Sequence, residues 1–559
     1  MVKQIQIRRL GFHYAVDYLL QQWQLGPFKG PLAQAGFGVY LLLLCVLPLL
    51  FGPIVQYVYA HDSFIFLDGG WRVLHGQRPQ VDFSTNLGPL IFLFTAAGIA
   101  IAKNGGYALV VAQALMGATI AGLVYYISIR RLPRVPAVAL STVIVLLALA
   151  PYNVGEFPFL QTYAMIYNRI GYSLLGVMLI EATQAAPPGP SSERNELIGG
   201  MLTGFICSFL LFLKITYFLF AIVLIVALLR YRPQCRQRFV GITVAGLAFS
   251  LLMLSYLRFD IPALFRELRM SAGGKHMARL APFGVAMGSV ELTILVLVLG
   301  LLAGWLVTTV NHNRFPWSRP WAIFISILIG FGLILTNHQG GGQPLNAFIC
   351  ILIASEVAIF SGSGRKPFSS LDVPAVLVVI GLCTPLIAFT IPTAIAYALP
   401  ALGRVVRWQT YSSEMRLAAP AVSDFRSKDM TPRFDIKDDT YQGNYATFVN
   451  EGLDLLQSHS SPRESVMSLE FSNPFSFSLQ RQPARGGTTC LQFGVTFDNT
   501  HKLSPDQLFG DAKLVMLPRL FSAPLLAYAV GHNYLAPLHA KFRKVAESSQ
   551  WELYRRIAE

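Results

Sequence analysis

Apolar stretches of about 20 residues recur through the first 400 positions, and they restrict the fold more than any other feature of the chain. The run GFGVYLLLLCVLPLLFGPIVQYVY (36–59) is typical. A helix of that length crosses a hydrocarbon layer roughly 30 Å thick, and such runs recur too often for one soluble core. Only 13% of the 559 residues are charged and 54% are hydrophobic, whereas soluble domains carry about 25% charge. The expected class is a polytopic α-helical membrane protein.

Charge then sets the orientation. A net charge of +15 would suggest a nucleic-acid partner in a soluble chain. Here Lys and Arg collect in the short segments between apolar runs, which is the habit of cytoplasmic loops, and no nucleic acid is expected. The runs predict about 11 transmembrane helices, at 36–59, 107–129, 135–151, 168–184, 197–213, 215–229, 239–257, 289–310, 321–337, 345–361 and 372–397. The stretch 90–102 is too short to span and is expected to be a partly embedded helix. With that count the basic segments 1–35, 130–134, 184–196, 230–238, 311–320 and 362–371 all fall on the cytoplasmic side, with the N-terminus inside. No short apolar core with a small-residue cleavage site precedes the first run, which is expected to stay as a helix.

Three parts follow. Residues 1–35 form a cytoplasmic segment. Residues 36–399 form the membrane domain, with a first outer loop at 61–106. Residues 400–559 form an extracytoplasmic domain in which helix and strand signals alternate, so it is expected to be α/β. The six cysteines (Cys45, Cys207, Cys235, Cys350, Cys383 and Cys490) have no disulfide or metal spacing.

The loop HDSFIFLDGGWRVLHGQRPQVDFSTNLGP (61–89) concentrates chemistry between two apolar segments, with His61 beside Asp62, then Asp68 and Asp82. A carboxylate within reach of a hydroxyl takes its proton as the oxygen attacks. A phosphate leaving group needs cations more than it needs an acid. Spacing alone does not rank the three carboxylates. Asp62 is also a good N-cap for the helix beginning SFIFL, Asp82 is placed to fix a turn, and Asp68 reads as solvated. Basic residues on the same face are the phosphate candidates. Loop 258–285 offers Arg258, Arg266, Arg269, Lys275 and His276, either for a lipid-linked phosphate or as an amphipathic helix at the lipid head groups. Lys214 interrupts an otherwise apolar hairpin, where a cation is costly unless functional or snorkelling. Arg169 with Tyr167 and Asn168, and His338 with Gln343, stand at outer helix ends, placed to line a polar cavity.

His61-Asp62 after the first span, then Gly76-Gln77-Arg78-Pro79, Val81-Asp82-Phe83 and Gly88-Pro89-Leu90, resemble the GT-C superfamily of membrane glycosyltransferases. The layout over residues 36–400 looks like the bacterial branch related to protein O-mannosyltransferases and lipid A aminoarabinose transferases. That resemblance implies an inverting transfer of a sugar from a polyprenyl-phosphate donor to a glycan, glycolipid or protein acceptor, at the periplasmic face of a bacterial cytoplasmic (inner) membrane. It implies Asp62 as base, and Lys214, Arg258, Arg266 and Lys275 as carrier-phosphate ligands. Many members carry Asp-Glu at the position where this chain has Asp62-Ser63. No cofactor is required, although a divalent cation beside Asp62 or Asp82 is compatible with the chemistry. The alternatives are a glycan ligase, polymerase or oligosaccharyltransferase using diphosphate-linked donors, a non-enzymatic lipid or sugar transporter, and a glycan-binding sensor.

Overall fold

The computed structural model describes residues 28, 30–184, 192–231, 236–272, 318–337, 343–362, 373–406, 415–429 and 444–558. In a lipid solvent backbone polar groups must satisfy one another within the segment, so apolar runs become helices. The described helices up to residue 406 are α1 Pro31–Phe51, α2 Asp62–Leu74, α3 Pro89–Ala102, α4 Gly105–Arg131, α5 Arg134–Leu149, α6 Ile166–Thr183, α7 Ser192–Leu213, α8 Ile215–Tyr231, α9 Arg236–Tyr256, α10 Ile261–Ala272, α11 Ser318–Thr336, α12 Leu345–Gly362 and α13 Val373–Val406, of which α2 and α10 come from charged loop segments. Among the described residues, five stretches, in α1, α4, α7, α9 and α13, are long and apolar enough to cross a membrane by length and composition. Apolar stretches in α3, α5, α8, α11 and α12 are shorter. The run 289–310 lies outside the described residues.

The first helix ends earlier than its apolar run. It stops at Phe51, where Gly52 turns to φ +71° and Pro53 has no N–H to continue the ladder. Residues 52–61 therefore leave the helix, and Val55–Gln56 become a short strand, β1. The next constraint is a close approach. Gly88 donates its N–H to Leu213 O at 3.0 Å, and a Cβ there would lie 2.0 Å from Phe212 O. Only glycine lets the end of the opening loop rest on the turn between α7 and α8, which carries Lys214.

The chain returns to this point after α13. Strands β2 (Met415–Arg416) and β3 (Arg426–Ser427) pair antiparallel, and β3 also pairs parallel with β1, setting Val55 opposite Arg426 and Gln56 opposite Ser427. Residues 444–558 add α14 (Tyr445–His459), β4 (Val466–Ser468), α15 (Phe475–Ser478), α16 (Pro505–Phe509), β5 (Leu514–Pro518), α17 (Pro524–Asn533), α18 (Leu535–Lys541), β6 (Phe542–Glu547) and β7 (Trp551–Arg556). The sheet runs β4-β5-β7-β6, parallel only between β4 and β5. Trp551 locks α14 to that sheet: its indole N–H donates to Phe448 O at 2.8 Å and its ring packs on Phe448 and Phe475.

A buried ion pair fastens this C-terminal region to α2. Asp68 is not solvated: it is fully buried, 2.7 Å from Arg72 Nε. Arg72 Nη1 also donates to Ala484 O at 2.7 Å and Gly486 O at 2.9 Å, while Asn473 Nδ2 donates to Asp68 at 3.3 Å. Trp71 adds a bond to Arg481 O at 2.8 Å. The helix that begins at Asp62 is thus held along its length.

Candidate active site

Asp62 is the first residue of α2. His61, with helical φ −61° and ψ −29°, takes the N-cap position without a side-chain bond, so the expected capping role of Asp62 is not observed. Asp62 instead lines a cavity of about 780 Å³. His61 Nε2 lies 3.3 Å from Asp62 Oδ1. The imidazole is held edge-on by Phe471, with centroids 4.3 Å apart, and His61 O accepts from Ser472 Oγ at 2.8 Å.

Cations enter the same cavity from two other directions. Lys214 arrives from the turn that Gly88 supports; its Nζ donates to Asn168 Oδ1 at 3.2 Å and sits 4.3 Å from the Tyr167 ring centroid. Lys428 follows β3; its N–H donates to Gln56 O at 2.8 Å and its Nζ lies 5.7 Å from the Tyr57 ring centroid. Asp429 is next to it, buried, and accepts the Ala60 N–H at 2.8 Å. Asn86 and Gln492 add neutral polar groups, and Phe471, Leu491, Phe493 and Leu526 give the far wall an apolar surface.

The electrostatics favour a base that works near neutrality. Burial pushes the Asp62 carboxyl up to about 7, and the carboxylates of Asp429 and Glu156 push the same way. Glu156, in the loop after α5, is itself raised by burial and accepts from Asn153 Nδ2 at 3.2 Å. A carboxylate in an apolar pocket among like charges holds its proton more tightly, and is a stronger base once ionised.

The remaining candidates from the sequence lie elsewhere. Asp82 Oδ2 accepts the Arg78 N–H at 2.7 Å, fixing the 78–82 turn, and does not line the cavity. Arg169 is buried and donates to Tyr152 O. Gln343 is buried and donates to Ile327 O at 3.1 Å. Arg258, Arg266 and Arg269 are exposed on α10 or the turn before it, outside the cavity lining; Arg266 donates to Gln80 O at 3.1 Å. Lys275, His276 and His338 lie outside the described residues. Sequence reasoning missed Lys428, Asp429 and Glu156. The first two stand in SDFRSKD, the charged segment that follows the last apolar run, and that position was their available signal. Among the described residues, no group of three His, Cys, Asp or Glu side chains is arranged to hold a metal ion.

No family model matches the chain, and no curated protein matches it. Solved structures do. The chain is similar to ArnT from Cupriavidus metallidurans bound to undecaprenyl phosphate, at 12% identity and a TM-score of 0.48, over 95% of this chain and 99% of that one. The apo state of the same protein aligns at 11% identity and a TM-score of 0.43, over 94% and 98%. Arabinofuranosyltransferase AftD from Mycobacteria aligns at 12% identity and a TM-score of 0.40, over 95% of this chain and 40% of AftD.

Proposed function

We propose that the chain is a GT-C-type membrane glycosyltransferase that moves a sugar from a polyprenyl-phosphate donor to a hydroxyl of a glycan, glycolipid or protein at the outer face of a bacterial cytoplasmic membrane. One observation carries the reading: a buried carboxylate, Asp62, and two lysines, Lys214 and Lys428, line a single cavity beside the ends of apolar helices.

The chemistry follows from the charges. The acceptor O–H gives its proton to ionised Asp62 as the oxygen attacks the anomeric carbon. The bond from that carbon to the carrier phosphate breaks, and the phosphate leaves with the bonding pair. Lys214 and Lys428 stabilise the charge that develops on it. A single displacement of this kind inverts the anomeric centre. His61, 3.3 Å from Asp62, orients the carboxylate. The eleven-span topology, the cytoplasmic N-terminus and an extracytoplasmic C-terminal region complete the reading, because they put Asp62 and both lysines on the face where a lipid-linked sugar is presented.

Binding of a fluorescent polyprenyl phosphate to the purified protein tests the carrier site. Lys214→Gln and Lys428→Gln are each expected to weaken binding by about tenfold to a hundredfold, the worth of one charge-assisted hydrogen bond at about 1.5–3 kcal/mol. Unchanged affinity in both variants would remove the phosphate from this cavity. A reporter fused after Glu559 is expected to be extracytoplasmic; a cytoplasmic signal would overturn the span count.

A further inference from the structure

The segment after α13 contributes more than a lysine to the cavity. The β1–β3 pairing holds Ser427 opposite Gln56, and two residues later Asp429 reaches the turn in front of Asp62. Its backbone is fixed on both sides: the Asp429 N–H donates to Ser427 Oγ at 3.0 Å, and its carbonyl accepts the Tyr445 N–H at 3.0 Å, at the start of α14. Its carboxylate accepts the Ala60 N–H at 2.8 Å, two residues before Asp62, and Asp429 and Asp62 line the same cavity.

We propose that Asp429 is the positioning residue for Asp62: it fixes the turn from which Asp62 projects, and it supplies the like charge against which Asp62 must ionise. This rests on the reading of Asp62 as the base. It gives the C-terminal region a part in the chemistry, because the strand that delivers Asp429 belongs to the segment after the last apolar helix.

Other groups act on Asp62, and Asp429 stands out among them by position. Among the described residues, His61 and Tyr59 share its turn, Glu156 faces it from the loop after α5, and Tyr167 from the start of α6. Lys214 and Lys428 line the same cavity, and Cys490 closes it from the C-terminal side. Of the two carboxylates that resist ionisation of Asp62, Asp429 has the larger effect. It is also hydrogen-bonded to the backbone of the turn itself.

The test reads Asp62 directly, without a donor or acceptor. A hydrophobic carbodiimide modifies protonated carboxyls, and mass spectrometry of the full-length protein in lipid nanodiscs gives the labelled fraction at Asp62 against pH. In the wild type, labelling is expected to fall with a midpoint near 7, as burial and its neighbours dictate. Asp429→Asn keeps an oxygen for the Ala60 N–H and removes the charge, so the midpoint is expected to drop by roughly one pH unit. Asp429→Glu keeps the charge and is expected to hold the midpoint. An unmoved midpoint in folded Asp429→Asn overturns the proposal, as does an equal shift in Asp429→Glu, which would mark a purely structural role. If no transfer activity is found while the labelling midpoint shifts, the positioning of Asp62 stands and the transferase reading fails.

Discussion

Asp62→Asn is expected to lower transfer by about a hundredfold to ten-thousandfold, the usual share of a general base, with carrier affinity unchanged. Asn matches the carboxylate in shape and keeps the first position of α2, but it takes no proton at neutral pH. The loss therefore belongs in kcat and not in KM. Full activity in the folded variant would move the base to another group. The wild-type pH profile makes the same point. Burial pushes the Asp62 carboxyl up to about 7, and as the proposed base it acts ionised, so kcat/KM is expected to rise with pH through that value. Below it the rate should fall about tenfold per pH unit, because the ionised fraction shrinks at that pace. A profile flat between pH 5 and 8 would contradict a buried carboxylate base.

Arg72→Ala carries the second large effect, on stability. Arg72 and Asp68 are both fully buried and 2.7 Å apart, and Arg72 also serves Ala484 O and Gly486 O. Removing the guanidinium leaves a buried carboxylate without its ionic partner and two carbonyls without that donor. The expected cost is about 3–5 kcal/mol, the range for breaking a buried ion pair from one side. The readouts are a lower unfolding midpoint of the full chain in detergent and faster proteolysis within 481–487. An unchanged midpoint would show that α2 and the C-terminal region are held together by other contacts. The same variant is expected to lose activity, because α2 presents Asp62.

How far the sequence carried depends on the range of the interactions. Among the described residues the apolar runs form helices, apart from the tail of the first, because length and composition are local properties. Asp62 was visible because it is the first carboxylate after the first run. Lys214 was visible because a cation interrupting an apolar hairpin is conspicuous. The Asp68–Arg72 pair has the i, i+4 spacing of a helical ion pair, yet its burial depends on carbonyls more than 400 residues away. Asp82 and the basic face of α10 looked equally suited to chemistry. They lie outside the cavity lining because backbone turns and Gln80, not spacing, decide where they sit. Lys428 and Asp429 were illegible for a similar reason. The register that sets Val55 against Arg426 joins positions 371 residues apart, and no periodicity in either segment announces a two-residue parallel pairing.

The central claim is that one cavity joins a carboxylate base to a lipid-phosphate leaving group. It is tested most directly by incubating the purified protein with a panel of synthetic polyprenyl-phosphate sugars and membrane-derived acceptors, and measuring polyprenyl phosphate released against sugar transferred. The predicted result is equal amounts of the two from one member of the panel, lost in Asp62→Asn and reduced in Lys214→Gln. Transfer from diphosphate-linked donors alone, or release that persists in Asp62→Asn, would contradict it.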